Sequence, residues 1–345
     1  MTQVTEGAIL KALSQVQDPE LQRDLVSLNM IKNIKIDGSK VALTVELTTP
    51  ACPLKQQIQR DVEQAVLAVA GVDAVDITMG ARVPEDKKIT DMAIKNIIAV
   101  GSGKGGVGKS TVAVNLAVAL VQCGAKVGLL DADIYGPNVP MMMGVHTLPP
   151  TPQDMKIQPA EAFGVKVMSI GFMVGEGQPL IWRGPLLHSA IKQFLQDVDW
   201  GELDYLIVDL PPGTGDVQLS LVQTVPISGG VIVTTPQQVS FDDAARAVSM
   251  FKKMDVPILG IVENMSYLQL EDGSLRRLFG EGGGEQLAGM AGAPLLANIP
   301  IEESIREGGD QGSPVVVGDP NSPSAKTLLG LAMSVAARMS MIVLG

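Results

Sequence analysis

Residues 103–110 read Gly103-Lys104-Gly105-Gly106-Val107-Gly108-Lys109-Ser110 and fit the pattern G-x-x-x-x-G-K-[ST]. That spacing suits a chain of phosphates. Glycines let successive backbone N–H groups turn inward around phosphate oxygens. A helix opening at Thr111 adds the partial positive charge of its N-terminus. Lys109 is placed to reach the β- and γ-phosphates, and the Ser110 hydroxyl to bind Mg²⁺. The bland alternative is a glycine-rich turn with no ligand.

Carboxylates recur at matching places. Asp131-Ala132-Asp133 ends one apolar run, and Asp209 ends another, Tyr205-Leu206-Ile207-Val208. Acids there can hold Mg²⁺, directly or through water, or orient an attacking water. Asp133 is the candidate for water activation, with a helix cap as its other reading. Asp209 is expected behind the Mg²⁺ ligands. Asn264, after another apolar run, has an amide that can pair with an adenine edge. Asn298-Ile299-Pro300 follows a later run and can close the base pocket. Plain turn residues are the alternative for Asn264 and Pro300.

Such residues need a scaffold that delivers them to one edge. Short continuous apolar runs at 97–100, 126–130, 165–170, 205–208, 230–234 and 258–262 alternate with helical segments. Runs of that kind suit strands covered on both faces, in a doubly wound, mostly parallel α/β sheet. Ligands on such sheets sit at the carboxyl ends of the strands, where these motifs fall. Residues 1–80 have another rhythm: helix, strand, strand, helix, strand, with a hairpin signal at Asp37-Gly38. The expectation is a small α+β domain at 1–80, a polar linker at 81–95, and the nucleotide domain at 96–345.

The totals set limits. The 345 residues exceed one ordinary core, and 46% hydrophobic content is far above that of disordered chains. A net charge of −11 argues against nucleic acid and anionic membrane as general partners. Two cysteines give no disulfide framework and suit a reducing compartment. No signal peptide is read at the N-terminus, and no segment reaches the roughly 18 apolar residues needed to span a bilayer. The run at 328–344 comes nearest, is interrupted by Ser334, Arg338 and Ser340, and reads as a packed helix. A cytoplasmic location is expected.

With Lys104 inside Lys-Gly-Gly-Val-Gly-Lys-Ser, the loop resembles the deviant Walker A group of P-loop ATPases: the MinD, ParA, nitrogenase iron protein and Mrp/ApbC relatives. The resemblance implies ATP hydrolysis and a homodimer in which Lys104 reaches the partner's nucleotide; an exposed lysine is the other reading. It also places Asp133 in a first switch, residues 211–216 in a second, and Asn264 against the base. Residues 131–140, Trp182-Arg183-Gly184-Pro185, residues 209–216 and Val262-Glu263-Asn264-Met265-Ser266-Tyr267 resemble the Mrp/ApbC branch of iron–sulfur cluster carriers. The front unit, with Asp18-Pro19-Glu20 and Thr48-Thr49-Pro50-Ala51-Cys52-Pro53-Leu54, resembles the iron–sulfur assembly domain often fused to them. Membership implies delivery of a [4Fe–4S] cluster to apo-proteins.

The resemblance fails at one place. Cluster-carrying members usually have a C-x-x-C pair after the Glu-Asn-Met segment, and residues 268–285 contain no cysteine; the plastid branch also lacks the pair there. Cys52 then becomes the candidate cluster ligand, with a thiol acidified by the following helix and Lys55. Cys123 reads as a small buried residue. His146 and His188 lack metal-ligand spacing, and Met141-Met142-Met143 reads as packing. Competing functions are a MinD/ParA-like positioning ATPase, a reductase like the nitrogenase iron protein, and a metal-free regulatory ATPase.

Overall fold

A computed structural model describes residues 4–89, 92–152, 155–173 and 184–345, with side chains at 184–187 outside the description. Trp182 and Arg183 therefore lie outside the described residues. The chain divides into two compact units, one of residues 1–84 with 336–345, the other of residues 85–335.

In the first unit, helix α1 (Glu6–Leu13) is capped by Thr5, whose hydroxyl accepts from the Ala8 N–H. Strands β1 (Ile31–Asp37) and β2 (Lys40–Leu47) form an antiparallel hairpin, turned at Gly38 with φ +60°. Helix α2 (Lys55–Leu67) then crosses to β3 (Ala74–Ala81), which pairs parallel to β2. Val41, Leu43, Val45 and Leu47 of β2 alternate inward onto Ile58, Val62 and Val66 of α2 and Ile9 and Leu13 of α1. Burying one face of each element is what holds so small a sheet together.

The second unit begins its sheet with β4 (Ile94–Ser102), followed by α3 (Lys109–Gln122), β5 (Val127–Asp131), α4 (Val139–Met142), β6 (Ala160–Ala162), β7 (Val165–Ser169) and α5 (Gly184–Gln196). It continues with β8 (Leu203–Asp209), α6 (Asp216–Thr224), β9 (Gly229–Thr234), α7 (Gln238–Lys253), β10 (Ile258–Glu263), α8 (Gly283–Ala291), β11 (Leu295–Asn298), α9 (Glu303–Gln311) and α10 (Val315–Gly318). The spatial order is β11-β10-β9-β4-β8-β5-β7-β6, parallel throughout except for β6. Every residue of β5 and β9 is buried, which is why they read as unbroken apolar runs. The short edge strand β6 escapes sequence reading because Glu161 faces solvent and three residues carry no period.

Two boundaries differ from expectation. The segment expected as a linker at 81–95 is taken up at both ends by β3 and β4, and Ile89 is buried in the large core. Residues 336–345, expected in the nucleotide domain, group with the front unit, where the Ser340 hydroxyl donates to the Thr48 carbonyl at 3.3 Å. They end helix α11 (Pro323–Leu344), whose 22 residues and mean hydropathy of 1.8 do make it long and apolar enough to cross a membrane, against the sequence reading. Leu328, Leu331, Val335 and Met339 on this helix are nevertheless buried in protein.

Candidate functional site

Strand β4 ends in the glycine-rich loop, and α3 starts at Lys109. Gly106 and Gly108 take φ of +77° and +83°, the left-handed conformation that turns N–H groups inward. A side chain on Gly108 would collide with the Asn264 amide, and one on Gly103 with the backbone of α7 at Asp243. The loop is thus a cradle that a Cβ would fill. Pro211-Pro212-Gly213 passes beside it, the Gly213 N–H donating to the Ser102 carbonyl at 3.1 Å.

Pairing of β4, β8 and β5 brings the charged residues together. Asp209 aligns with Val100 on one side and Asp131 on the other. Lys109 Nζ lies 2.7 Å from Asp209 Oδ1 and 3.3 Å from Asp133 Oδ2. The Ser110 hydroxyl donates to Asp209 Oδ2 at 2.6 Å. Asp133 is held from behind, its Oδ1 accepting from the Tyr135 and Gly136 N–H groups, so Oδ2 is the oxygen turned to the lysine. Asp133 thus both caps a turn and faces the site.

Asp131 stands one layer back. Its oxygens accept from the Ser169 hydroxyl, at 2.8 Å, and from the Asp133 and Val139 N–H groups. These bonds tie Asp131 to the Asp133 loop and to the end of β7. Ser169 and Val139, neither singled out by sequence, complete this support. Burial raises the Asp131 carboxyl, and the nearby Asp209 charge raises it further. Burial also raises Asp209, opposed by Lys109 and the Ser110 hydroxyl.

Two joined cavities fit a nucleotide. One of about 230 Å³ is lined by the loop, Lys104, Ser110, Thr111, Asp133 and Pro212. The other, of about 570 Å³, shares Gly108, Thr111, Asn138 and Met142 with it and extends to Asn264 and Pro300. The Asn264 amide donates from Nδ2 to the Val107 carbonyl at 2.8 Å, which leaves Oδ1 as an acceptor for an amino group. The hydroxyl and carboxylate oxygens of Ser110, Asp133 and Asp209 are the hard donors Mg²⁺ prefers, and a cation there would relieve the buried acids.

The thiols lie elsewhere. Cys52 and Cys123 are both half-buried. The Cys52 thiol is pushed up to about 11 by burial and by the charges of Glu20 and Asp18, which outweigh Lys55 and the Leu54 N–H. The acidified thiol expected from the helix start is therefore not found. Among the described residues no group of three or more His, Cys, Asp or Glu is arranged to hold a metal ion.

Comparisons with known proteins agree with this geometry. Residues 93–336 match the family described as NUBPL iron-transfer P-loop NTPase, and residues 6–78 match that described as iron–sulfur cluster assembly protein. An iron–sulfur cluster carrier protein of Synechocystis is 52% identical over 99% of both chains. The chloroplast Fe–S cluster assembly factor HCF101 of Arabidopsis thaliana is 43% identical over 97% of this chain and 64% of its own length. A nucleotide-binding protein of Archaeoglobus fulgidus, solved with ADP, superposes with a TM-score of 0.59 at 39% identity, covering 67% of this chain and 90% of that one. The chain belongs to the NUBPL-type iron-transfer P-loop NTPases.

Proposed function

We propose that this chain is an ATP-hydrolysing carrier that holds an iron–sulfur cluster and passes it to apo-proteins. The observation that carries the reading is the Lys109–Asp209–Ser110–Asp133 constellation in a chain matched along residues 93–336 by an iron-transfer family. Loop N–H groups and the Lys109 ammonium bind the phosphates and stabilise charge that grows on them in the transition state. Mg²⁺, held by Ser110 with Asp209 behind it, would supply further charge neutralisation between the β- and γ-phosphates. Asp133 Oδ2 accepts a hydrogen bond from the attacking water. The water oxygen bonds to the γ-phosphorus, the bond to the β–γ bridging oxygen breaks, and the proton passes through Asp133 to the departing phosphate.

In this reading two copies close over their nucleotides, Lys104 of each serving the other. Hydrolysis relaxes the loop at Gly213, whose N–H bond to Ser102 ties it to the cradle. The cargo is held by Cys52 from each copy, the remaining ligands coming from outside. A thiol that titrates near 11 must lose a proton to bind metal, so its hold at neutral pH is weak, as suits a carrier.

Anaerobic reconstitution with iron and sulfide tests the proposal. A sulfide-to-iron absorption band that Cys52→Ser abolishes, and transfer to an apo-acceptor that ATP accelerates, are expected. No band and no transfer would sink it.

A further inference from the structure

The residues between β10 and α8 leave and rejoin the nucleotide face at fixed points. At the outgoing root, the Ser266 N–H donates to the Ile299 carbonyl and the Ile301 N–H to the Tyr267 carbonyl at 2.7 Å, so the segment starts beside Pro300. At the returning root, buried Glu263 holds both ends: Oε1 accepts from the Ser266 hydroxyl at 2.6 Å and Oε2 from the Gly284 N–H at 2.7 Å. Between the roots, Leu268–Gln269 pairs antiparallel with Leu275–Arg276, and Arg277 bridges to Glu281 at 2.9 Å. These bonds direct Leu278 and Phe279 into the wall of the larger cavity, in company with Asn264 and Pro300.

We propose that residues 268–282 are a cover for the purine ring, with Phe279 and Leu278 as its apolar face and Glu263 as the positioning residue at its root. The proposal rests on the nucleotide reading above and deepens it. The occupant follows from the cavity, which continues from the phosphate cradle through Gly108, Thr111, Asn138 and Met142. Its walls are mostly apolar, while Asn264 Oδ1 offers one fixed acceptor. A flat heteroaromatic ring with an amino group, attached to phosphates, satisfies both. Leu278 is 54% exposed, a cost in water that contact with a ring would remove. This is also the segment in which the family's cysteine pair is missing, so nucleotide occupancy would be felt there through contact with the base.

The test uses the full chain and two probes, ADP and inorganic tripolyphosphate, which has the phosphates and no base. Calorimetry should show Phe279→Ala binding ADP about 10-fold more weakly, as expected for loss of an aromatic stack, with tripolyphosphate unchanged. Phe279→Leu should fall between Phe279→Ala and wild type. In the unaltered protein, ADP should slow hydrogen exchange across residues 270–282 and tripolyphosphate should not. Unchanged ADP affinity in Phe279→Ala, equal losses for both probes, or absent ADP-specific protection would each overturn the cover. If the wild type itself fails to prefer ADP over tripolyphosphate, the base-pocket reading falls instead, and the cover with it.

Discussion

Two places in this molecule crowd ionisable groups out of water, and they settle the charge differently. In the nucleotide site, Asp209 and Asp133 share the Lys109 ammonium at 2.7 and 3.3 Å, and a serine hydroxyl and backbone N–H groups occupy the remaining oxygens. In the front unit, burial and the charges of Glu20 and Asp18 raise the Cys52 thiol, against the Leu54 N–H and, more weakly, Lys55. One Asp18 oxygen accepts from the Glu20 and Leu21 N–H groups. The Glu20 carboxyl is pushed up to about 7 by burial and then by Asp18. In the first, burial raises Asp209 while a buried ammonium, Lys109, and the Ser110 hydroxyl oppose it. In the second, burial and the acids raise Glu20 and Cys52 with no buried cation among them.

Removing the ammonium breaks the comparison most directly. Lys109→Ala leaves Asp209 buried opposite no cation, where loss of one partner of a buried pair costs about 3–5 kcal/mol. Denaturant unfolding should show that loss, and ATP turnover should fall about 100- to 1,000-fold. Normal turnover in this variant would remove the site assignment. Asp133→Asn separates chemistry from binding: kcat should drop about 100-fold with KM little changed, because an amide cannot take the water's proton. A larger change in KM than in kcat would make Asp133 a turn cap only.

The thiol gives the next effect. Moving a thiol from 9 to about 11 leaves about 100-fold less thiolate at neutral pH, partly offset by its greater nucleophilicity. Iodoacetamide should therefore label Cys52 about 10-fold more slowly at pH 8 than an unstructured cysteine peptide. Mass spectrometry of the labelled peptide reads this, and labelling as fast as the peptide would erase the contrast between the two sites.

How far each site could be read from sequence follows the same divide. The loop, Asp133 and Asp209 were legible because a parallel sheet delivers strand ends to one edge, and each acid closes a recognisable apolar run. Asn264 and Pro300 came from the same rule, and both line the larger cavity. What the rule does not give is which oxygen is already spoken for. Asp131 accepts from Ser169, 38 positions along the chain, a partner its sequence neighbours do not announce. The Cys52 thiol was misjudged for a similar reason: its sequence neighbours Leu54 and Lys55 lower it, whereas burial, and then Glu20 and Asp18, raise it through the fold. Phe279 and Leu278 gave no sequence signal as pocket residues, since the hairpin that aims them is only two residue pairs long.

The smallest effect tests whether its surroundings raise the Glu20 carboxyl. Glu20 titrates near 7 in the folded chain against an ordinary value of 4.5. Below 4.5 the carboxyl is protonated whether the chain is folded or not, and it opposes nothing. Between 4.5 and 7 the folded chain keeps a proton that the unfolded chain releases, so stability declines as pH rises through this window and levels off above it. Glu20→Gln removes that slope. Since the carboxyl is only half-buried, screening reduces the effect, and the gain in melting temperature at pH 8 should be about 1–3 °C, vanishing near pH 4.5. The same substitution should speed Cys52 labelling, because a negative charge that raises the thiol has gone. If neither changes, Glu20 and Cys52 do not share one electrostatic environment, and the front unit's contrast with the nucleotide site reduces to burial alone.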